Sequence, residues 1–214
     1  MKKFLLALTA TFFVSTSAFA AGDMTLPPPN LNAKLSVTDA LNQRQSSRNF
    51  IDKDLTPAQI SKILWAANGI NRDNGKRTVP VANGVYSVEV YAVTKDGIYL
   101  YDATNHKLNL IAAGDYRSAT TSGQSFVSKA ALNLVYVETP EVWKSAKKIP
   151  PREAQIYSAN VTIGAMTQSV ALIAETEGLG NCVRGSINRE EFRMVAQLSA
   201  DKSILLAQTV GFTK

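Results

Sequence analysis

The chain has one cysteine, Cys182, and one histidine, His106, among its 214 residues. A lone thiol cannot close an intrachain disulfide, even in a compartment that would permit one. One His and one Cys far apart in sequence are a poor basis for a zinc site, so no metal centre is expected. There is no Gly-x-Ser-x-Gly elbow, and a serine or cysteine nucleophile would have to use His106 as its base. That histidine lies in DATNHKL, at a hairpin turn, and reads as an ordinary surface residue. No Walker loop and no evident pair of catalytic carboxylates is present.

Charge narrows the partners. The formal net charge is +6. Aromatic residues are not interleaved with the basic loop holding Arg72, Lys76 and Arg77, so no nucleic-acid partner is expected. MKKFLLALTATFFVSTSAFA has a basic start, an apolar run from Phe4 to Val14, and small residues at Ala18 and Ala20. It reads as a secretory signal cleaved after Ala20, which makes the protein periplasmic or secreted. The apolar run is too short and too diluted by Ser and Thr for a lasting span, so no stable membrane insertion is expected after cleavage. Removing residues 1–20 leaves 194 residues and a charge of +4. That length suits a single domain, expected over 36–214, preceded by an extended Pro-rich arm over 21–35 that contains TLPPPNLNA.

SVTDALNQR (36–44) predicts a short helix with Ser36 as N-cap and Asp39 three residues on. TPAQISKILWAANG (56–69) predicts a firmer one. Thr56 caps it, Pro57 takes the first helical position, Gln59 completes a capping box, and Asn68-Gly69 stops it. Ile60, Ile63, Leu64 and Ala67 share one face. GINRDNGKRTVP (69–80) reads as a loop. VYSVEVYAV (85–93), IYLYDA (98–103), KLNLIA (107–112), ALNLVYVET (131–139) and SILLAQTVG (203–211) read as strands. A weak helix is expected over 115–122, a long one from Arg152 to Glu177 stopped by Gly178, and another over 188–198. The long helix has apolar or small residues at Val161, Gly164, Ala165, Val170, Leu172 and Ile173. GLGNCVRG (178–185) reads as a Gly-bounded loop. It follows a helix, whereas the dinucleotide fingerprint follows a strand, so that identification fails on context. Helices and antiparallel hairpins mix irregularly, which argues for an α+β fold.

RQSSRNF (44–50) places two arginines and two serines within five positions at the end of the first helix. Guanidinium forks suit phosphate oxygens, and serine hydroxyls add short donors. In an extended stretch Arg44, Ser46 and Arg48 would project to one side. By itself the stretch could equally be two solvated arginines beside a helix end. Three later segments accompany it in order: PVANGVYSVEVYAV (80–93), GAMTQSVALIAE (164–175) and EGLGNCVRG (177–185). With these in place the sequence resembles the nitroreductase family of flavin-dependent oxidoreductases over about residues 36–212. That family opens with an Arg-x-Ser-x-Arg-x-Phe-like motif, matched by Arg44, Ser46, Arg48 and Phe50. It continues with a Pro-Ser-Ala-Gly-like segment, a long helix containing a Gln, and a Gly-Leu-Gly loop.

The resemblance implies a nitroreductase-like fold, a central and mostly antiparallel sheet flanked by helices. It also implies bound FMN and a homodimer with the flavin at the subunit interface. On that basis Arg44, Gln45, Ser46 and Arg48 hold the phosphate end, and Ala82 and Asn83 run beside the ribityl chain and ring edge. Val183, Arg184 and Gly185 approach the reactive face, and Lys214 takes the place of a basic residue that closes on the phosphate. The chain departs from the family pattern at Val81 for serine, Asn83 for glycine, and Arg184 for an acidic residue. No catalytic side chain is assigned, since a flavin carries the redox chemistry and the protein binds and orients. The implied reaction is ping-pong electron transfer, from a donor such as NAD(P)H to a nitro, quinone, enone or azoline-type acceptor. PVANGVY and the compact tail lie nearer the SagB-type azoline dehydrogenase branch than the nitroreductases proper. Val81, Arg184 and the short tail motivate the alternative, a non-catalytic protein binding flavin or a small anion on a degenerate version of the fold. Gly178 and Gly180 read as helix stop and turn, and Cys182 as small-residue packing.

Overall fold

The computed structural model describes residues 22–32 and 34–214, and the expected signal segment over 1–20 lies outside the described residues. The strands are β1 (Met24–Thr25), β2 (Val88–Val93), β3 (Gly97–Asp102), β4 (Lys107–Ala113), β5 (Leu132–Glu138), β6 (Gly180–Arg184) and β7 (Ser203–Gly211). They form one sheet in the order β1-β4-β3-β2-β5-β7-β6, with every neighbouring pair antiparallel. The helices are α1 (Val37–Gln43), α2 (Pro57–Asn68), α3 (Arg152–Thr176) and α4 (Arg189–Val195). The α+β expectation, with its antiparallel sheet flanked by helices, is borne out.

Both expected N-terminal signals close as capping boxes. Ser36 accepts from the Asp39 N–H and Thr56 from the Gln59 N–H, and each N3 side chain reaches back to its cap. The stripe Ile60, Ile63, Leu64 and Ala67 of α2 is buried against the sheet with Ile163, Met166, Val170 and Ala174 of α3. Opposite them, Phe192 of α4 packs with Ala196, Ile187, Val135 and Val137. Strand β5 therefore has both faces covered. Leu132, Leu134 and Tyr136 face α2 and α3, while Val135 and Val137 face α4, which is why it reads as an unbroken apolar run.

Three expectations change. Residues 178–185 are mostly not a loop, because β6 runs from Gly180 to Arg184 along the edge of the sheet. Gly178, at φ 66°, does end α3, and the Leu179 N–H returns to the Ala174 carbonyl at 2.9 Å. The chain then extends at once beside β7. The weak helix over 115–122 shrinks to one 3-10 turn, Arg117–Thr120. Its start is held by Arg117, whose N–H and guanidinium both bond Asp115. Finally, α3 is apolar on two faces. Its inner stripe is Ala159, Ile163, Met166, Val170 and Ala174, while Tyr157 and Val161 lie exposed on the outer one.

The Pro-rich arm is strapped onto the domain. Met24 and Thr25 pair with Leu108 and Lys107, and Leu26 is buried. Further along, Lys62 is buried between the Asn32 carbonyl at 3.0 Å and Glu177 at 2.7 Å.

Candidate functional site

RQSSRNF leaves α1 as extended chain lying between the edge strand and the C-terminal tail. The Ser47 N–H donates to the Asn181 carbonyl at 2.8 Å, the Ile51 N–H to Phe212 at 2.9 Å, and the Lys214 N–H to Asn49 at 3.1 Å. Gly180 makes this approach possible. A Cβ there would sit 2.8 Å from the Ser47 Cβ and would collide with the Thr213 Cγ2. The reading of Gly180 as a turn glycine is thus corrected, since it lies in a strand at a close crossing. Ser47 faces the sheet, so Ser46 and Arg48 beside it turn outward. Arg48, Ser46 and Gln45 are exposed and Arg44 is half-buried. The tail pairing brings Lys214 next to Asn49, beside Arg48.

The donors gathered here are disengaged. Seven ion pairs join described residues, and none involves Arg44, Arg48 or Lys214. Asn181, which pairs with the clip through its backbone, is 2% exposed, and its Nδ2 has no hydrogen-bond partner. A buried donor without an acceptor costs about 1–3 kcal/mol. Two guanidinium groups and an exposed serine hydroxyl on one extended segment make up a donor set suited to an oxyanion.

The edge strand offers a second feature. The Asn181 carbonyl points to the clip, away from β7. The ladder's alternation turns the Val183 N–H and C=O the same way, toward the open edge. The Val183 side chain is 42% exposed, and Gly185 is exposed beyond it. Arg184, one residue out of phase, points to the opposite face and is 4% exposed. Its Nε donates to Thr209 Oγ1 at 2.8 Å, its Nη1 to the Thr120 carbonyl at 2.7 Å, and its Nη2 to Asn133 Oδ1 at 3.2 Å. Burial pushes its pKa down to about 10, which still leaves it charged at neutral pH. Of the three residues expected to approach the flavin's reactive face, Arg184 turns its side chain inward, because strand alternation sends it to the face opposite Val183.

Residues 80–84 form a tight turn anchored on α3, where Thr162 Oγ1 donates to the Pro80 carbonyl at 3.4 Å. Asn83 sits at φ 55°, ψ 17°, the left-handed region that glycine favours and asparagine tolerates. Asparagine in place of the family's glycine thus preserves the backbone. Beside the turn lies a cleft of about 530 Å³ walled by Asn83, Lys147, Lys148 and Pro150. Among the described residues no hydrogen bond joins Ala82 or Asn83 to residues 44–50, whose strand partner Asn181 instead lies beside Gln208, which donates to the Thr167 carbonyl of α3 at 3.0 Å.

His106 departs from the expectation of an ordinary surface residue. It is half-buried, its Nε2 lies 2.8 Å from Ser61 Oγ and 3.1 Å from the Pro27 carbonyl, and its Nδ1 lies 2.9 Å from the Tyr101 hydroxyl. Ser61 is fully buried and donates to the Pro27 carbonyl at 2.6 Å, so the trio ties down the arm rather than presenting a nucleophile. Among the described residues no cluster of His, Cys, Asp and Glu could hold a metal ion, and no helix is long and apolar enough to cross a membrane.

The fold is α+β, an antiparallel sheet flanked by helices, with unpaired cationic side chains beside its edge strand. The Nitroreductase family profile matches residues 41–212, and the chain belongs to that family of flavin oxidoreductases. A nitroreductase-like protein of Methanocaldococcus jannaschii is 25% identical over 188 residues, covering 81% of this chain and 90% of its own. A solved structure of a nitroreductase-like protein from Ralstonia eutropha JMP134 superposes with a TM-score of 0.82 at 34% identity, covering 99% of this chain and 96% of that one. The NADPH:FMN oxidoreductase of Vibrio harveyi, solved with NAD+, reaches a TM-score of 0.61 at 18% identity, covering 83% and 69%. At that identity the likeness is one of fold.

Proposed function

We propose that the protein is an exported, FMN-dependent oxidoreductase that works as a homodimer and transfers electrons by a ping-pong route. The observation that supports this reading best is the disengaged donor set of Arg44, Ser46 and Arg48 on the segment that pairs with β6. In this reading Arg44, Ser46, Arg48 and Lys214 hold the FMN phosphate. Ala82 and Asn83 border the ring edge. The Val183 N–H at the open strand edge supplies a backbone donor to the ring, which needs no side-chain acid. The flavin supplies the redox chemistry, accepting two electrons from a reduced donor such as NAD(P)H and yielding them to a nitro, quinone, enone or azoline-type acceptor.

The homodimer draws support from the outer face of α3, which a second copy would cover. Tyr157 and Val161 on that face, and Val37 and Leu41 on α1, which packs against α3, are exposed apolar groups awaiting cover. Export rests on residues 1–20, and its check is the N-terminal mass of protein recovered from outside the cytoplasm.

The second reading, a flavin or anion binder without turnover, draws support from Arg184, whose inward turn leaves no charged side chain at the strand edge. One experiment separates the two. FMN is added to the mature protein and the bound-flavin spectrum is recorded before and after anaerobic NADH or NADPH. Bleaching supports the oxidoreductase. Bound flavin that no donor bleaches leaves the binder, and absence of flavin binding removes both.

A further inference from the structure

The turn that borders the proposed ring site also walls a second pocket, of about 450 Å³. Its lining includes Arg72, Lys76, Arg77, Val81, Gly84 and Tyr86 and no carboxylate. Asp73, in the same loop, lines a neighbouring groove instead. None of the three cations has an ion pair among the described residues. The loop that carries them is braced. Arg72 donates from Nη2 to the Arg77 carbonyl at 2.7 Å and from Nε to Asn71 Oδ1 at 3.0 Å, and the Asn71 N–H bonds the Lys76 carbonyl at 3.1 Å. Arg77 is half-buried with its guanidinium 4.2 Å from the Tyr86 ring centroid, and burial lowers its pKa. A partly desolvated guanidinium stacked on an aromatic face, with Asp102 acting on it only from outside the pocket and no ion pair to it, is preorganised for an incoming anion.

We propose that this pocket binds the anionic group of the molecule that exchanges electrons with the flavin, an oxyanion of more than one charge such as a phosphate ester. The site is separate from the FMN phosphate clip at Arg44 and Arg48. The proposal rests on the flavin reading, because Val81 and Gly84 are what join the pocket to the ring site.

The test uses the full mature chain loaded with FMN, so that the clip is filled, and titrates pyrophosphate calorimetrically into wild-type, Lys76→Gln and Arg77→Gln proteins. Saturable binding to wild-type that weakens at least fivefold in the variants is expected. Equal binding in all three, or none to wild-type, overturns the proposal. Turnover then identifies which substrate bears the anion, using nicotinamide dinucleotides with and without the 2′-phosphate and quinones with and without a phosphate ester. In at least one pair the charged-over-uncharged ratio of kcat/KM should fall fivefold or more, and unchanged ratios in both pairs refute the link to turnover. Lys76 is exposed, so Lys76→Gln keeps the test alive if Arg77→Gln does not fold. Should the chain take up no FMN, the flavin reading fails separately. Calorimetry in the Arg44→Ala/Arg48→Ala background then decides the pocket alone: binding lost on Lys76→Gln supports an anion site, and no binding refutes one.

Discussion

Arg184 and the pair Arg44 and Arg48 sit on one edge of the same sheet and could hardly be more different. Arg184 is 4% exposed, and its guanidinium donates to oxygens of Thr209, Thr120, Asn133 and Ser186. It joins β6, β7, β5 and the 117–120 turn without any carboxylate. Arg44 and Arg48 lie on the facing segment with no ion pair among the described residues. Buried cations survive only when every donor is satisfied, so saturation marks Arg184 as scaffold. Exposed and half-buried cations left without partners are instead free to take something outside the chain. The engagement of the donors, and not their residue type, separates a structural arginine from a ligand-holding one.

The largest effect should come from Arg184→Ala. It leaves a cavity, and it strips a donor from the Asn133 side-chain oxygen and from the Thr120 carbonyl. A loss of about 3 kcal/mol in folding stability is expected, read from the urea midpoint. A wild-type midpoint accompanied by weakened flavin binding would reverse the assignment of the two arginine classes.

Gly180→Ala probes the crossing between them. The new methyl meets Ser47 and Thr213, so the clip or the tail must move away. Overpacking of this kind costs about 2 kcal/mol. FMN affinity, followed by flavin fluorescence quenching, should drop at least tenfold because the clip's register is lost. Unchanged affinity would show that the clip's position against β6 is irrelevant to the flavin.

Arg48→Ala sharpens the comparison from the other side. Removing a charge-assisted phosphate contact should cost about 1.5–2 kcal/mol of binding, roughly tenfold to thirtyfold in Kd for FMN, with the unfolding midpoint held. Arg72→Ala should change that Kd less than twofold, since Arg72 lines the other pocket. Equal losses in the two variants would mean the phosphate site is misplaced.

Much of this architecture was legible in the sequence, because local signals there are strong. The capping boxes at Ser36 and Thr56, the α2 stripe, the hairpin strands and the Gly178 stop depend on neighbours within a few residues. What escaped depends on distant ones. GLGNCVRG looks like a loop because two glycines bound it, yet Gly180 answers to Ser47 and Thr213, which are remote in sequence. Arg184 looked available for a ligand because phase along an unrecognised strand was not readable. The outer apolar face of α3 was hidden for a similar reason, since Val161 and Gly164 fit a helical stripe equally well whichever way it turns. Asn181 gave no signal at all, because its importance is an unmet hydrogen bond rather than a pattern.

His106 lies between the two arginine classes, half-buried and fully bonded, and it yields the smallest prediction. Burial lowers its pKa below the ordinary value of 6.5. Burial also raises the Tyr101 phenol, so that hydroxyl keeps its proton and donates to Nδ1, leaving Nε2–H for Ser61 and Pro27. Protonating Nδ1 would force Tyr101 to become the acceptor and place a charge beside the arm. Because the folded value lies below the unfolded one, the tie is at full strength above about pH 6.5 and weakens as pH falls toward the folded value. The partly solvated ring keeps the effect under ~1 kcal/mol. Urea midpoints at pH 7.5 and pH 5 should therefore fall further in wild-type than in His106→Gln, which has no ring to titrate. Parallel declines in the two proteins would place the acid sensitivity elsewhere, for instance at the Asp115 carboxylate, which burial raises but Arg117 holds low overall.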